Sequence, residues 1–339
     1  MGKKVTALDV AERAGVSRSA VSRVFTPGAS VSERTAKKVR SAAEALGYRP
    51  NVLARSLITG RSRIIGLLVA YLENQFYPEA IERLSHELQK RGYHVLVFMA
   101  ANSGEEADEV MEELLDYQVD GIIAASVGMS NDLTRRCEAA GIPIVLFNRA
   151  QDDDRLSAVT SDNYHGGRKL AEFLVAGGHG RIAHIAGWEG ASTQRDREAG
   201  FVAGLNAAGQ GLFARAVSDF QFEQAKAVAR DMFSATDIPD AVFCANDHMA
   251  FAVMDVLRFE LGLSVPGDVS VVGYDDVTLA AWPSYDLTTV RQPAGQMAQA
   301  TVGILMDRLS DPDTKPRRVA LDGPLIIRGS ARIPKGWTS

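Results

Sequence analysis

Cysteine is scarce in this chain: Cys137 and Cys244 are the only two in 339 residues. Two thiols cannot build a disulfide framework, so a reducing cytosol is the expected compartment. Long hydrophobic runs are missing as well. Stretches such as Ile64–Tyr71 and Ile142–Phe147 fall far short of the roughly 18 residues that cross a bilayer. The opening Met1-Gly2-Lys3-Lys4-Val5-Thr6 is basic and passes straight into an acid-containing helical pattern, without the apolar stretch of a signal peptide. Secreted, membrane-spanning and fibrous classes are set aside, and a cytoplasmic protein with no membrane partner is expected. Enzyme signatures are equally sparse. The six histidines, His86, His94, His165, His179, His184 and His248, show no His-Glu-x-x-His or Cys/His zinc spacing. There is no Gly-x-Ser-x-Gly elbow and no phosphate-binding P-loop. Gly178-His179-Gly180-Arg181-Ile182-Ala183 fits G-x-G-x-x-A in letters, but it follows a predicted helix and precedes a predicted strand, the reverse of the dinucleotide-binding order. No catalytic residue, metal site or cofactor is expected.

What is present is an ordinary globular composition, 46% hydrophobic and 23% charged, in a length that suits two to three domains. The net charge of −5 conceals an asymmetry. Residues 1–63 hold thirteen lysines and arginines against four acids, a balance of +9, which leaves −14 for the remainder. A small basic head on a large acidic body suggests that the head meets a polyanion while the body does something else.

The head reads as three short helices. Thr6 caps the first and Asp9, three residues on, completes a capping-box pattern; Leu8 and Ala11 form its expected apolar stripe, and Gly15 stops it. Ser17 caps a second helix, Arg18–Phe25, with Val21, Val24 and Phe25 at helical spacing. Ser32 caps a third, which runs to Leu46 before Gly47 with Val39, Ala43 and Leu46 inward. Two helices joined by a tight turn, with a third as brace, form the helix-turn-helix layout, whose second helix enters the DNA major groove.

At this point Thr6-Ala7-Leu8-Asp9-Val10-Ala11-Glu12-Arg13-Ala14-Gly15-Val16-Ser17, followed by Val21-Ser22-Arg23-Val24, closely resembles the lactose/galactose repressor family. Gly47-Tyr48-Arg49-Pro50-Asn51 and Ala54-Arg55-Ser56-Leu57 continue the match, and the resemblance covers essentially the whole chain. It implies base-reading positions at Arg18, Ser19 and Arg23. Arginine suits bidentate contact with guanine, and serine is a short, adaptable donor or acceptor. Thr6, Ser17 and Ser22 join the expected DNA-binding set as caps and phosphate contacts. Residues 51–59 make only about two helical turns, marginal alone in water. In the family this hinge helix forms on DNA and wedges a leucine into the minor groove, here Leu57, with Ala54 allowing close packing and Arg55 near the groove edge. The expected organisation is a helix-turn-helix domain at 1–50, a hinge at 51–62 and a two-lobed body at 63–339.

From Arg63 onward short β-branched runs alternate with amphipathic helices. Strand candidates are Ile64–Ala70, His94–Met99, Gly121–Ala125, Ile144–Asn148, Ile182–Ala186, Ala241–Ala245, Val269–Tyr274 and Leu287–Arg291; helix candidates include Pro78–Arg91, Glu105–Tyr117, Gly166–Ala176 and Ala225–Phe233. That alternation argues for an α/β body of parallel sheets covered on both faces. It is too long for one such sheet, so two lobes are expected. The resemblance implies a periplasmic-binding-protein-like body whose chain crosses between lobes near residues 161, 291 and 323. Lobe 1 would hold about 63–161 and 292–323, and lobe 2 about 162–291 and 324–339.

Ligands bind beyond the carboxyl ends of such strands. Phe76 and Tyr77 follow the first strand and could stack on a sugar or base; Thr193 and Arg197 follow the fifth. Phe220, Asn246, Asp247 and Asp275 follow later ones, and Asn148 and Asp162 also lie at strand ends. The resemblance implies that Arg197, Phe220, Asn246 and Asp275 line the effector cleft; Asp247 has an alternative reading as a helix cap. Purine-sensing relatives carry an arginine where Ala191 stands here, which points toward a sugar, sugar acid or polyol.

The expected function is a DNA-binding transcriptional regulator, a repressor, acting as a homodimer on a pseudopalindromic double-stranded operator and switched by that small effector. Two alternatives remain open: control by a phosphorylated partner protein, and a solute-binding protein without a DNA role. Arg197→Ala is expected to abolish the ligand response and leave folding intact.

Overall fold

The computed structural model of the chain describes residues 5–26, 29–49, 61–100, 104–128 and 130–337. It divides into two compact units, Met1–Arg63 and Ile64–Ser339.

The first unit contains α1 (Ala7–Ala14), α2 (Arg18–Val24) and α3 (Glu33–Leu46). Each start is set by a side chain that satisfies an otherwise orphaned backbone N–H. The Thr6 hydroxyl accepts from the Asp9 N–H while the Asp9 carboxylate accepts from the Thr6 N–H, a complete capping box. Ser17 and Ser32 cap α2 and α3 in turn. Gly15 and Gly47 end α1 and α3 in the left-handed region, where a residue without Cβ is favoured. Val10, Ala11, Val21, Val39, Ala42 and Ala43 form the core of this unit, with Ala7, Ala14 and Val24 packed against it. One expectation is corrected here: Leu8 is 55% exposed. The inward stripe of α1 is instead Ala7, Val10, Ala11 and Ala14, the i, i+3, i+4, i+7 set of one helix face.

The second unit is built on two six-stranded sheets. The first lobe comprises β1 (Ile64–Val69), α4 (Phe76–Lys90), β2 (His94–Met99), α5 (Gly104–Asp116), β3 (Gly121–Ala125), α6 (Asn131–Ala139), β4 (Ile144–Phe147) and β5 (Ser157–Ser161). The chain then enters the second lobe with α7 (Asn163–Ala176), β6 (Ile182–Ala186), α8 (Ser192–Ala207), β7 (Ala214–Val217), α9 (Phe222–Phe233), β8 (Ala241–Cys244), α10 (Asp247–Asp255), β9 (Ser270–Asp275) and β10 (Thr288–Arg291). It returns to the first lobe for α11 (Ala294–Ser310) and β11 (Arg318–Leu321), and ends in the second with β12 (Leu325–Ile326). The strand orders are β11-β5-β4-β3-β1-β2 and β12-β10-β9-β8-β6-β7. Every pairing is parallel except that of β12 with β10. The central strands β1, β3, β4, β6, β8 and β9 are buried almost end to end, as parallel strands covered by helices on both faces must be.

From sequence alone no bounds are set for β5, β7, β11 and β12, although strand ends are expected before Asp162 and Phe220. They are short, and all four lie at or next to a sheet edge, so no long apolar run betrays them. β5 contains Ser157 and Ser161, whose hydroxyls meet the Arg317 N–H and the Tyr274 hydroxyl.

Among the described residues no helix is long and apolar enough to cross a membrane.

Candidate effector cleft and DNA-reading helix

In the first unit α2 turns Val21 into the core and leaves Arg18, Ser19, Ser22 and Arg23 exposed on its outer face. Ser17 Oγ accepts from the Ala20 N–H at 3.2 Å and lies 2.9 Å from Ser19 Oγ. Arg23 Nε donates to the Ser19 carbonyl at 3.4 Å along the helix. The outer face thus offers two guanidinium groups and short hydroxyls, the side chains suited to base edges and phosphates. Thr6 stands exposed at the start of α1 as its cap. The expected hinge residues Ala54, Arg55 and Leu57 lie outside the described residues.

In the second unit the carboxyl ends of the strands of both lobes carry backbone in an uncommon conformation. Ser126 after β3, Asn148 after β4, Asp219 and Phe220 after β7, and Asp275 and Asp276 at the end of β9 all have positive φ. Such residues cost on the order of 1–3 kcal/mol each and concentrate at ligand sites.

Arg197 and Asp275 sit at the centre of this region, both nearly excluded from solvent. Arg197 Nε donates to Asn163 Oδ1 at 2.9 Å, Nη1 to the Ala245 carbonyl at 2.6 Å, and Nη2 to Asp275 Oδ1 at 3.4 Å. Its guanidinium stacks 3.7 Å above the Tyr274 ring. Asp275 also accepts from Gln292 Nε2 at 2.7 Å, on the chain segment returning to lobe 1. From lobe 1 itself, Asn74 Nδ2 donates to Asp275 Oδ2 at 3.0 Å, so this carboxylate joins the lobes. Burial pushes the Asp275 carboxyl upward; the Arg197 charge opposes that shift, helped by hydrogen bonds from Asn74 and Gln292. The close approach of α7 to α8 fixes Arg197 in place. A methyl group at Gly167 or Gly200 would overlap the Arg197 or Tyr164 carbonyl oxygen, so the two helices meet through glycine.

On the lobe 1 side, Tyr77 donates from its hydroxyl to Ser126 Oγ at 2.7 Å, and Asn148 Nδ2 reaches both groups. Phe76 stacks on Phe147 with centroids 6.2 Å apart. Several buried polar atoms nearby have no hydrogen-bond partner among the described residues: Asn148 Oδ1, Arg149 Nε and Nη1, and Gln292 Oε1. The Arg149 guanidinium lies 5.2 Å from the ring of Trp188, a residue of lobe 2. Buried polar groups are nearly always satisfied, so atoms left this way where two lobes meet mark the place a polar ligand would complete.

The other expected residues are placed as follows. Phe220 is buried and packs its ring over the backbone at Gly187. Thr193 is buried in the first turn of α8. Asp162 caps α7, accepting from the His165 N–H and contacting its ring. Asn246, not Asp247, caps α10, because its Oδ1 accepts the Met249 N–H at 2.9 Å. Asp247 is turned into lobe 2, where it accepts from Thr289 Oγ1 at 2.6 Å and from the Val277 N–H at 3.0 Å. Burial lifts its carboxyl to about 8. Asn74, Arg149, Asn163 and Gln292 belong to the cluster and were missed from sequence. Arg149 and Gln292 each directly follow a strand end, and Asn74 stands between the first strand and Phe76, so position was a usable signal for all three; what the sequence could not show is that Asn74 meets Asp275, 201 residues further on.

Comparison with known proteins agrees with this architecture. Residues 6–51 match the model of bacterial regulatory proteins of the lacI family, and residues 171–331 match the periplasmic binding protein-like domain. The chain is 34% identical to the HTH-type transcriptional regulator CelR of Thermobifida fusca, over 95% of this chain and 96% of that one. The chain belongs to the lacI family. It is also 31% identical to the ribose operon repressor of Escherichia coli K12, over 96% of this chain and 99% of the relative. A solved structure of the lac repressor dimer bound to operator and the anti-inducer ONPF shares its fold, with a TM-score of 0.87 and 30% identity, covering 97% of this chain and 99% of that one. As a lacI-family protein it is a DNA-binding transcriptional regulator.

Proposed function

We propose that this regulator is a repressor that binds a pseudopalindromic operator as a homodimer. In this reading Arg18, Ser19 and Arg23 read base edges, while Thr6, Ser17 and Ser22 contact phosphates. Residues 51–62 act as the hinge, with Ala54, Arg55 and Leu57 meeting the minor groove. A small polyhydroxylated effector, a sugar, sugar acid or polyol, binds between the lobes of the body and biases the hinge.

The observation that carries the effector reading is the cluster around Arg197 and Asp275, bridged from lobe 1 by Asn74 and bordered by unpaired polar atoms of Asn148, Arg149 and Gln292. A guanidinium and a carboxylate, flanked by amides, can bridge neighbouring hydroxyls. Phe76 and Tyr77 belong to the apolar wall beside them. Support for the dimer comes from the lac repressor relative, whose solved structure is a dimer on its operator. Exposed apolar side chains on the body, Phe259 at 81% and Trp282 at 52%, are of the kind a subunit interface would cover.

The test is to select operator DNA from a random pool with the full chain, then measure the selected affinity with and without candidate effectors. A palindromic consensus bound by two chains, whose affinity changes with one polyhydroxylated ligand, is the expected result. An asymmetric site bound by one chain would overturn the dimer. Indifference to every such ligand would overturn the effector and shift the reading to a phosphorylated partner protein.

A further inference from the structure

The charge balance of the cleft, taken together with the effector reading above on which this inference rests, says more about the ligand. Arg197 is matched by Asp275. Arg149 is only 5% exposed, and none of the ion pairs or side-chain hydrogen bonds of the described residues involves its guanidinium. Several acids of the body are engaged elsewhere. Glu189 and Glu198 pair with Arg215, Asp153 with Arg155, and Asp276 with Arg291 and Arg328. Asp152 lies toward Arg195, and Asp247 is turned into lobe 2 against Thr289 and the Val277 N–H. Among the described residues the Arg149 guanidinium therefore has no carboxylate partner and lies against the Trp188 ring. A buried, unpaired guanidinium is expensive unless something supplies a counter-charge. Nearby, Asn148 Oδ1 and Gln292 Oε1 are acceptors waiting for donors, which hydroxyl groups provide.

We propose that the effector is a polyhydroxylated carboxylate, an aldonate or uronate, whose carboxylate lies on the Arg149 guanidinium while its hydroxyls reach Asn148, Gln292 and the Arg197–Asp275 pair. One carboxylate balances one guanidinium and matches its forked geometry with two parallel hydrogen bonds. A phosphate ester, at close to two negative charges, overshoots that balance.

The experiment uses the full chain and matched probes: aldohexoses and aldopentoses, the aldonate and uronate of each, the sugar phosphate of each, and free purine bases. Thermal unfolding finds the binders and calorimetry gives their affinities. The expected result is a carboxylate that binds at least tenfold more tightly than its neutral parent. Arg149→Met should lose at least tenfold of that affinity and Arg149→Lys less, with neither change altering the affinity for the neutral parent by as much. Preference for a neutral sugar, a sugar phosphate or a purine overturns the carboxylate and leaves an effector in the cleft. No binding by any probe overturns the effector reading itself. Should Arg149→Met lose its cooperative unfolding transition, the wild-type preference between each carboxylate and its parent decides alone.

Discussion

Arg197 holds up its own lobe. Each of its three nitrogens donates once, to Asn163, the Ala245 carbonyl and Asp275, and its flat face lies on Tyr274. The expectation that Arg197→Ala would spare folding is therefore revised. Removing one member of a buried ion pair costs about 3–5 kcal/mol, and denaturant titration of the variant should show a loss of that order. On the DNA side, Arg23 is exposed and makes no ion pair among the described residues. Arg23→Ala should cost about 1–3 kcal/mol of operator affinity and relax sequence preference at one position. An equal loss on every DNA sequence, read by competition binding, would assign it to phosphate instead.

Two buried titratable groups set opposing pH dependences. The Asp247 carboxyl is held at about 8 by burial and titrates near 3.9 when unfolded. Between those values the folded state keeps a proton that the unfolded chain has lost, so its contribution to stability falls as pH rises from about 4 and stops falling above about 8. His184 runs the other way. Burial lowers its ring to about 4, so acidification below about 6.5 favours the unfolded chain, which takes up the proton. Replacing Asp247 with Asn should remove the decline between pH 6.5 and 8, up to about 1.4 kcal/mol per pH unit, measured as urea-unfolding free energy across that range. An unchanged slope would mean that Asp247 is ionised in the fold.

At the scale of elements, the head was legible because its instructions are local. Thr6, Ser17 and Ser32 each sit where a helix needs an acceptor, and Gly15 and Gly47 where one must stop. Ser17→Ala should destabilise the head by about 1 kcal/mol and weaken operator binding through loss of order in α2, seen as reduced helical circular dichroism. The buried strands were legible from their apolar runs. Edge strands such as β7 and β12 were not, because pairing partners decide them more than composition does. The cleft was half legible for the same reason. Asn148 and Asp275 lie at or just after strand ends, where ligand residues are sought, whereas Arg197 comes from within α8 and Asn74 is joined to Asp275 by a contact that spans most of the body's sequence. The α7–α8 crossing also hides from periodicity. Gly200→Ala there should destabilise the body by roughly 1–3 kcal/mol through overpacking, whatever its effect on ligand.

For the whole molecule, Asn74 and Asp275 make a hydrogen bond that exists only while the lobes are together. A ligand that adds further bridges from Asn148, Arg149 and Gln292 would favour that arrangement in proportion to its preference for it. At 100 times its dissociation constant an effector stabilises the folded state by about 2.7 kcal/mol, and small-angle scattering should report a smaller radius of gyration with ligand than without. Scattering unchanged by a ligand that does stabilise the protein would place the switch in something other than lobe closure.

The left-handed backbone at Asn148, Phe220 and Asp275 has a bearing on how such a regulator could be retuned as a biosensor. Positions held at positive φ accept few side chains without strain, asparagine, aspartate and glycine being the easiest. A library that randomised them would fill with misfolded members. Arg149, Trp188, Ala191 and Thr193 carry no such restriction, so under the proposed effector reading new ligand preferences are best sought there, leaving the strained frame alone.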